Sequence, residues 1–165
     1  RPMEALHAPW RIDYILGPKN PSDDASVFTQ IGQSEDDVGN YVIRRSRHGY
    51  AVLNTYPYNG GHVLIVPYKQ VRDLDELNDE ENLELLQLLQ SSKRAIQSTM
   101  NPDGFNIGLN LGRVAGAGIE EHLHWHIVPR WSGDTNFMPA IGQTTVLPEA
   151  LTETAAKLRK ALAEQ

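Results

Sequence analysis

The chain has 165 residues, a formal net charge of −6 and no cysteine. That length suits one domain, or one domain with an extension, and falls short of the roughly 200 residues a (β/α)8 barrel needs. The acidic balance excludes a non-specific nucleic-acid surface, which requires clustered positive charge; the missing cysteines exclude disulfides, Cys-zinc sites, iron–sulfur clusters and thiol catalysis.

Residues 1–39 read as an irregular packed arm. Pro9, Gly17, Pro18, Pro21, Gly32 and Gly39 interrupt any long periodic element, while Trp10, Ile12, Tyr14 and Ile15 are apolar enough to pack on the domain. The N-terminal residues have no apolar signal-peptide core, so a cytoplasmic protein is expected. Tyr41-Val42-Ile43, the turn Ser46 to Gly49 and the apolar run Tyr50 to Leu53 predict a hairpin. Thr55 to Gly61 is a loop by composition. His62 to Val66 is a strong strand ended by Pro67, and its apolar run is far short of the roughly 18 residues that cross a bilayer.

Asp79 to Met100 predicts a helix. Leu85, Leu88, Leu89, Ser92 and Ile96 recur at helical spacing, Leu83 and Leu86 widen the face, and three acidic residues occupy the first turn. Phe105 to Leu111 and Leu123 to Val128 predict two further strands, separated by the glycine- and alanine-rich stretch Gly112 to Gly118. Pro148 suits a first helical position, and Leu151, Ala155, Leu158 and Leu162 line one face of a terminal helix. This order predicts an α+β fold: a mainly antiparallel five-stranded sheet with one long helix and a C-terminal helix.

His122-Leu123-His124-Trp125-His126 carries three of the six histidines at alternate positions. On a strand, period 2 sends all three imidazoles to one face and the apolar residues to the other. An ordinary exposed face would use Lys, Glu, Thr or Ser, which weighs against a merely polar strand. Two chemical readings compete. His-x-His is a familiar metal-ligand pair, and Gly116, His122 and His124 open a cupin-like signature. The Glu that signature wants after the second His is absent, since Val128 and Pro129 stand there. The other reading is nucleophilic attack on a phosphate ester, since imidazole is a good nucleophile near neutral pH. Small residues in Gly112 to Gly118, just upstream, would let backbone N–H groups approach phosphate oxygens.

At these residues the sequence resembles the histidine triad (HIT) family of nucleotide hydrolases and transferases. His122 to Val128 matches His-φ-His-φ-His-φ-φ, φ being apolar, at every position, and Gly60-Gly61-His62-Val63-Leu64-Ile65-Val66-Pro67 resembles the family's Pro-Gly-His-φ-φ-φ-φ-Pro segment with Gly60 in place of Pro. Residues 40–130 resemble a complete HIT catalytic core, with 131–165 as a C-terminal extension of the same domain. Ala8 to Ile15 and Pro129 to Pro139 resemble a bacterial subgroup of dinucleoside-polyphosphate phosphorylases or hydrolases.

The resemblance implies that His124 attacks an α-phosphorus and forms a nucleotidyl-histidine, that His122 orients it, that His126 contacts phosphate oxygens and that His62 supports the site from behind. It further implies that Asn54 bonds a ribose hydroxyl, that Asn110 and the backbone near Gly116, Ala117 and Gly118 contact phosphate, and that Val52, Leu53 and Leu64 border the base. Ser26-Val27-Phe28-Thr29 stands where many members carry a Cys-x-x-Cys half of a structural zinc site, so no structural zinc is expected. No cofactor is required by the chemistry, and Mg²⁺ is compatible with a polyphosphate substrate. The expected partners are a mononucleotide or dinucleoside polyphosphate and a second copy in a homodimer, with neither nucleic acid nor membrane. The implied activity is cleavage of the α-phosphate linkage of a dinucleoside polyphosphate resembling diadenosine tetraphosphate. The alternatives are a purine nucleoside phosphoramidase and a non-catalytic nucleotide-binding protein.

Overall fold

Strand residues of the chain's middle segment alternate between two buried faces. Ala51, Leu53, Val63 and Ile65 enter one apolar cluster, and Tyr50, Val52, Leu64 and Val66 enter another. A sheet covered on both faces explains why the apolar runs are continuous instead of alternating with polar residues. These features come from a computed structural model, which describes residues 25–135 and 147–165.

The described elements are α1 (Val27–Gln33), β1 (Val42–Arg45), β2 (Gly49–Leu53), β3 (Val63–Pro67), α2 (Asp79–Met100), β4 (Gly104–Leu109), β5 (Trp125–Arg130) and α3 (Leu151–Ala163), with 3-10 turns at Leu74–Glu76 and Arg113–Ala115. The five strands form one sheet in the order β1-β2-β3-β5-β4, every neighbouring pair antiparallel. This is the α+β arrangement that the sequence predicts. Among the described residues no helix is long and apolar enough to cross a membrane.

Helix α2 has the bounds its periodicity predicts. Asn78 caps it, accepting from Glu81 N while the Glu81 side chain accepts from Asn78 N, and Asn101 ends it in the left-handed region at φ 45°. Leu85, Leu88, Leu89 and Ile96 are buried against one face of the sheet. Leu83 and Leu86, expected to widen that face, are exposed instead. Helix α3 packs Ala155, Leu158 and Leu162 into the same cluster. It begins at Leu151, so Pro148 lies ahead of it and not at its first position.

Two expectations change. The irregular N-terminal arm contains a helix, α1, which covers the opposite face of the sheet through Phe28, Val27 and Ile31. It spans seven residues, too few turns for a periodic signal to stand out. Its start is fixed by Ser26, whose side chain accepts from Thr29 N. Its end is fixed by Arg45, whose guanidinium donates to the carbonyls of Ile31, Gly32 and Ser34. Residues 1–24, including Trp10, Ile12, Tyr14 and Ile15, lie outside the described residues, as do 136–146.

The second change concerns the histidine row. Strand β5 begins at Trp125, so His122 and His124 precede it and only His126 is a strand residue. The ladder with β3 stops at the Ile65–Trp125 pair. Beyond it the Pro67 carbonyl bonds the His122 ring (2.8 Å), and Leu123 N turns away to Val71 O (2.7 Å). Likewise β4 ends at Leu109, opposite Trp125, and not at Leu111.

Candidate active site

Register places the site. His126 is paired with Leu64 and Val52 with Leu64, so these three side chains share the face that α1 covers. His124, two residues before His126, lines the same pocket. A pocket of about 190 Å³ opens on that face. Val27, Phe28, Ile31, Val52, Leu64 and Ile119 form its apolar wall; Asn54, Gly118, His124 and His126 lie along its polar side.

The proton positions follow from the partners. His124 Nδ1 lies 2.9 Å from the His122 carbonyl. A carbonyl only accepts, so Nδ1 carries a proton, and in the neutral ring the lone pair is on Nε2. His62 Nδ1 accepts from Tyr58 N (3.1 Å) and faces Asn54 Nδ2 (3.3 Å), so its proton is on Nε2 and is donated to His126 Nδ1 (2.9 Å). His126 therefore carries its own proton on Nε2. Two neighbouring imidazoles, with centroids 4.9 Å apart, thus hold opposite roles: a lone pair on His124 and an N–H donor on His126.

Both supporting histidines are kept neutral. His62 is fully buried, and its imidazole is lowered to about 3, chiefly by burial and then by His126 and His124. Burial also lowers His122. Its Nε2 faces the Pro67 carbonyl and its Nδ1 lies 2.5 Å from Ser26 Oγ.

The loop that carries His62 is tied down from both sides. Asn54 N donates to His62 O, and Asn54 Oδ1 accepts from Tyr56 N. Asn59 donates to Pro129 O (3.1 Å) and to Asp134 (2.7 Å). Asp134 also pairs with Arg130, which holds its carboxyl well below the usual carboxylate range.

Of the residues expected at the site, the pocket gathers His124, His126, Asn54, Val52, Leu64 and Gly118. His122 and His62 are fully buried behind it. Leu53 borders the pocket, but its side chain belongs to the helix-side cluster, as the period of β2 requires. Gly116 N and Ala117 N donate to Arg113 O and Gly112 O within the loop, leaving Gly118 as the glycine that reaches the pocket. Asn110 Nδ2 donates to Gly116 O (3.4 Å), bracing that loop.

Sequence reasoning missed Val27, Phe28, Ile31, Tyr58 and Ile119. Phe28 matters most, since its ring lies 4.8 Å from His124. The available signal was Ser26 as an N-cap ahead of Phe28 and Ile31, three positions apart. Tyr58 stacks on His62 at 5.0 Å and is 58% exposed. In the place suggested for a zinc-binding pair, Ser26 and Thr29 form a hydrogen-bonded cluster with Gln70 and His122. Hydroxyl and amide oxygens are poor zinc donors beside thiolates and imidazoles, so these side chains do not suit that ion. Among the described residues no group of three or more His, Cys, Asp or Glu could hold a metal.

Known proteins share parts of this sequence and this fold. Residues 37–133 match the HIT domain. The chain is 43% identical over 158 residues to the AP-4-A phosphorylase of Mycobacterium tuberculosis, covering 92% of this chain and 80% of that one. It is 31% identical over 105 residues to the asymmetrical bis(5'-nucleosyl)-tetraphosphatase of Schizosaccharomyces pombe, covering 64% and 57%. Among solved structures, a zinc-bound histidine triad family protein from Mycobacterium smegmatis superposes with a TM-score of 0.68 at 26% identity, covering 85% of this chain and 94% of that one. With the HIT domain matched over residues 37–133, more than half of its length, the chain belongs to the HIT family.

Proposed function

We propose that this protein is an enzyme that cleaves the α-phosphate linkage of dinucleoside polyphosphates of the diadenosine tetraphosphate type, through a nucleotidyl-histidine on His124. The observation that carries this reading is the pair of opposed imidazoles at the pocket: a lone pair on His124 Nε2 beside an N–H on His126 Nε2. One nucleoside occupies the apolar pocket against Phe28, Val52 and Leu64. A bond forms between His124 Nε2 and the α-phosphorus as the bond to the leaving polyphosphate oxygen breaks. His126 donates to phosphate oxygens, and the backbone near Gly118 adds to that stabilisation. Asn54 serves the ribose, and Asn110 holds the loop that faces the phosphates. An acceptor then attacks the nucleotidyl-histidine, releases the nucleotide and frees His124.

The 43% identity to a protein named a phosphorylase supports inorganic phosphate as that acceptor. Diadenosine tetraphosphate would then yield ATP and ADP, whereas water would yield ATP and AMP. Product analysis with and without phosphate tests this directly. ADP formed only with phosphate supports the phosphorylase reading. AMP formation independent of phosphate makes it a hydrolase. Binding without turnover in either condition, or turnover confined to nucleoside phosphoramidates, overturns the proposal.

The reading includes no structural zinc, because the Ser26 hydroxyl is engaged with His122 and the Thr29 hydroxyl with Gln70. It places the protein in the cytoplasm, where such nucleotides are held, and pairs it as a homodimer. Edge strand β4 supports the pairing: Ile107 is 44% exposed and lies opposite Ile127, on the face that packs against α2. An apolar side chain on an unpaired edge is suited to burial by a second copy.

A further inference from the structure

We propose that Ser26, braced by Gln70, is a positioning residue for the nucleophile: its hydroxyl donates to His122 Nδ1 and thereby locks the backbone carbonyl that orients His124. The inference rests on the reading of His124 as nucleophile.

Two hydroxyls face His122 Nδ1, Ser26 Oγ at 2.5 Å and Thr29 Oγ1 at 3.5 Å, and the shorter contact assigns the bond to Ser26. His122 Nε2 faces the Pro67 carbonyl at 2.8 Å, so it must donate. Burial keeps the ring neutral, so Nδ1 bears a lone pair and needs a donor. Ser26 Oγ, 2.5 Å away, is that donor. Ser26 Oγ in turn accepts from Thr29 N at 3.2 Å, and its backbone N–H donates to Gln70 Oε1 at 2.9 Å. Thr29 Oγ1 donates to the same Gln70 oxygen at 2.8 Å. Every donor then meets an acceptor.

The chain of contacts runs from pocket to nucleophile. Ser26 caps α1, whose Val27, Phe28 and Ile31 line the pocket. Its hydroxyl grips one end of the His122 ring while Pro67 grips the other, and the His122 carbonyl receives the His124 Nδ1 proton. Phe28 touches both rings, with centroids 5.6 Å from His122 and 4.8 Å from His124. Without the Ser26 hydroxyl, His122 Nδ1 loses its short bond and keeps only the 3.5 Å contact to Thr29 Oγ1, and the ring gains freedom to turn or to exchange tautomers. The carbonyl that fixes His124 shifts with it.

Ser26 also caps a helix, so the test must separate capping from donation. Glycine is tolerated at N-caps almost as well as serine but has no hydroxyl, whereas threonine keeps both functions. Ser26→Gly is expected to lower kcat for diadenosine tetraphosphate by about 10- to 100-fold, the range for a modest misplacement of a reacting group. KM should stay within about twofold, because the loss is in orientation and not in binding. Ser26→Thr should restore kcat. Nitrogen-15 NMR of the wild-type protein should show His122 protonated at Nε2 with an acceptor-type Nδ1, and Ser26→Gly should mix the two tautomers.

Wild-type kcat in Ser26→Gly, an effect confined to KM, or a wild-type His122 protonated at Nδ1 would overturn the proposal. The NMR measurement needs no turnover. It therefore judges the Ser26 bond even if Ser26→Gly fails to fold, or if His124→Ala stays active and the functional reading itself falls.

Discussion

His62 Nε2 lies 2.9 Å from His126 Nδ1, and this contact decides where His126 carries its proton. Because Tyr58 N occupies the other nitrogen of His62, the relay runs in one direction, from a loop amide through two imidazoles to the phosphate side of the pocket. Replacing His62 by Leu removes the donor and frees His126 to exchange tautomers. His62→Leu should lower kcat by about 10- to 100-fold, less than the loss expected from deleting a phosphate donor outright. His62→Gln, whose amide can still donate to His126, should recover part of that loss. Steady-state kcat and KM for both variants check this, and equal activity in the two would contradict it.

The same burial makes stability depend on pH. An unfolded histidine takes its proton near pH 6.5, but folded His62 resists protonation down to about 3, chiefly through burial. Below about pH 6.5 the unfolded chain therefore binds more protons. The stabilisation is complete above that pH and is lost as pH falls, by up to about 1.4 kcal/mol per pH unit for each such histidine. His122 acts in the same direction. Urea midpoints measured at about pH 7.5, 6 and 5 should fall progressively, and His62→Gln should make the slope shallower. Equal midpoints across this range would contradict the burial of neutral imidazoles.

Arg45 holds the pocket wall in place. Its guanidinium donates to the carbonyls of Ile31, Gly32 and Ser34 and pairs with Asp37 at 2.7 Å, closing the C-terminal end of α1. Arg45→Ala should cost about 2 kcal/mol of stability, as expected for hydrogen bonds to a charged group. It should also raise KM for the nucleotide more than it lowers kcat. Denaturation and steady-state kinetics check both effects.

Gly61 is required by geometry. Its φ is +77°, and a Cβ there would lie 2.6 Å from Met100 Sδ. Gly61→Ala should destabilise the protein by about 1–2 kcal/mol from backbone conformation alone, with the Met100 contact adding to it. The adjacent His62 should be displaced, so activity should fall along with thermal stability. Met100→Ala combined with Gly61→Ala should recover the steric part only.

The sheet was legible because its apolar runs are short, continuous and bounded by Pro67, Gly49 and Gly61, and helix α2 because Leu85, Leu88, Leu89, Ser92 and Ile96 keep one face through the middle of its 22 residues. The candidate site stood out in the sequence because three alternate histidines are hard to explain as surface. What stayed hidden is mainly tertiary. Helix α1 is held by partners distant in sequence, namely Arg45 and the Tyr50 hydroxyl, which donates to Phe28 O at 2.6 Å. Local propensity carries no trace of such partners. The start of β5 was misplaced for a similar reason: the Pro67 carbonyl bonds the His122 ring instead of extending the ladder. Leu53 borders the pocket, while period 2 along β2, with Val52 facing the pocket, turns its side chain to the other face.

In the proposed reaction His124 Nε2 forms a covalent bond to the α-phosphorus. Rapid acid-free quenching with diadenosine tetraphosphate labelled at the α-phosphorus tests it most directly. An acid-labile adduct that maps to His124 is expected in the wild-type protein, with neither adduct nor turnover in His124→Ala. Near-wild-type turnover by His124→Ala, or an adduct on another residue, would contradict it.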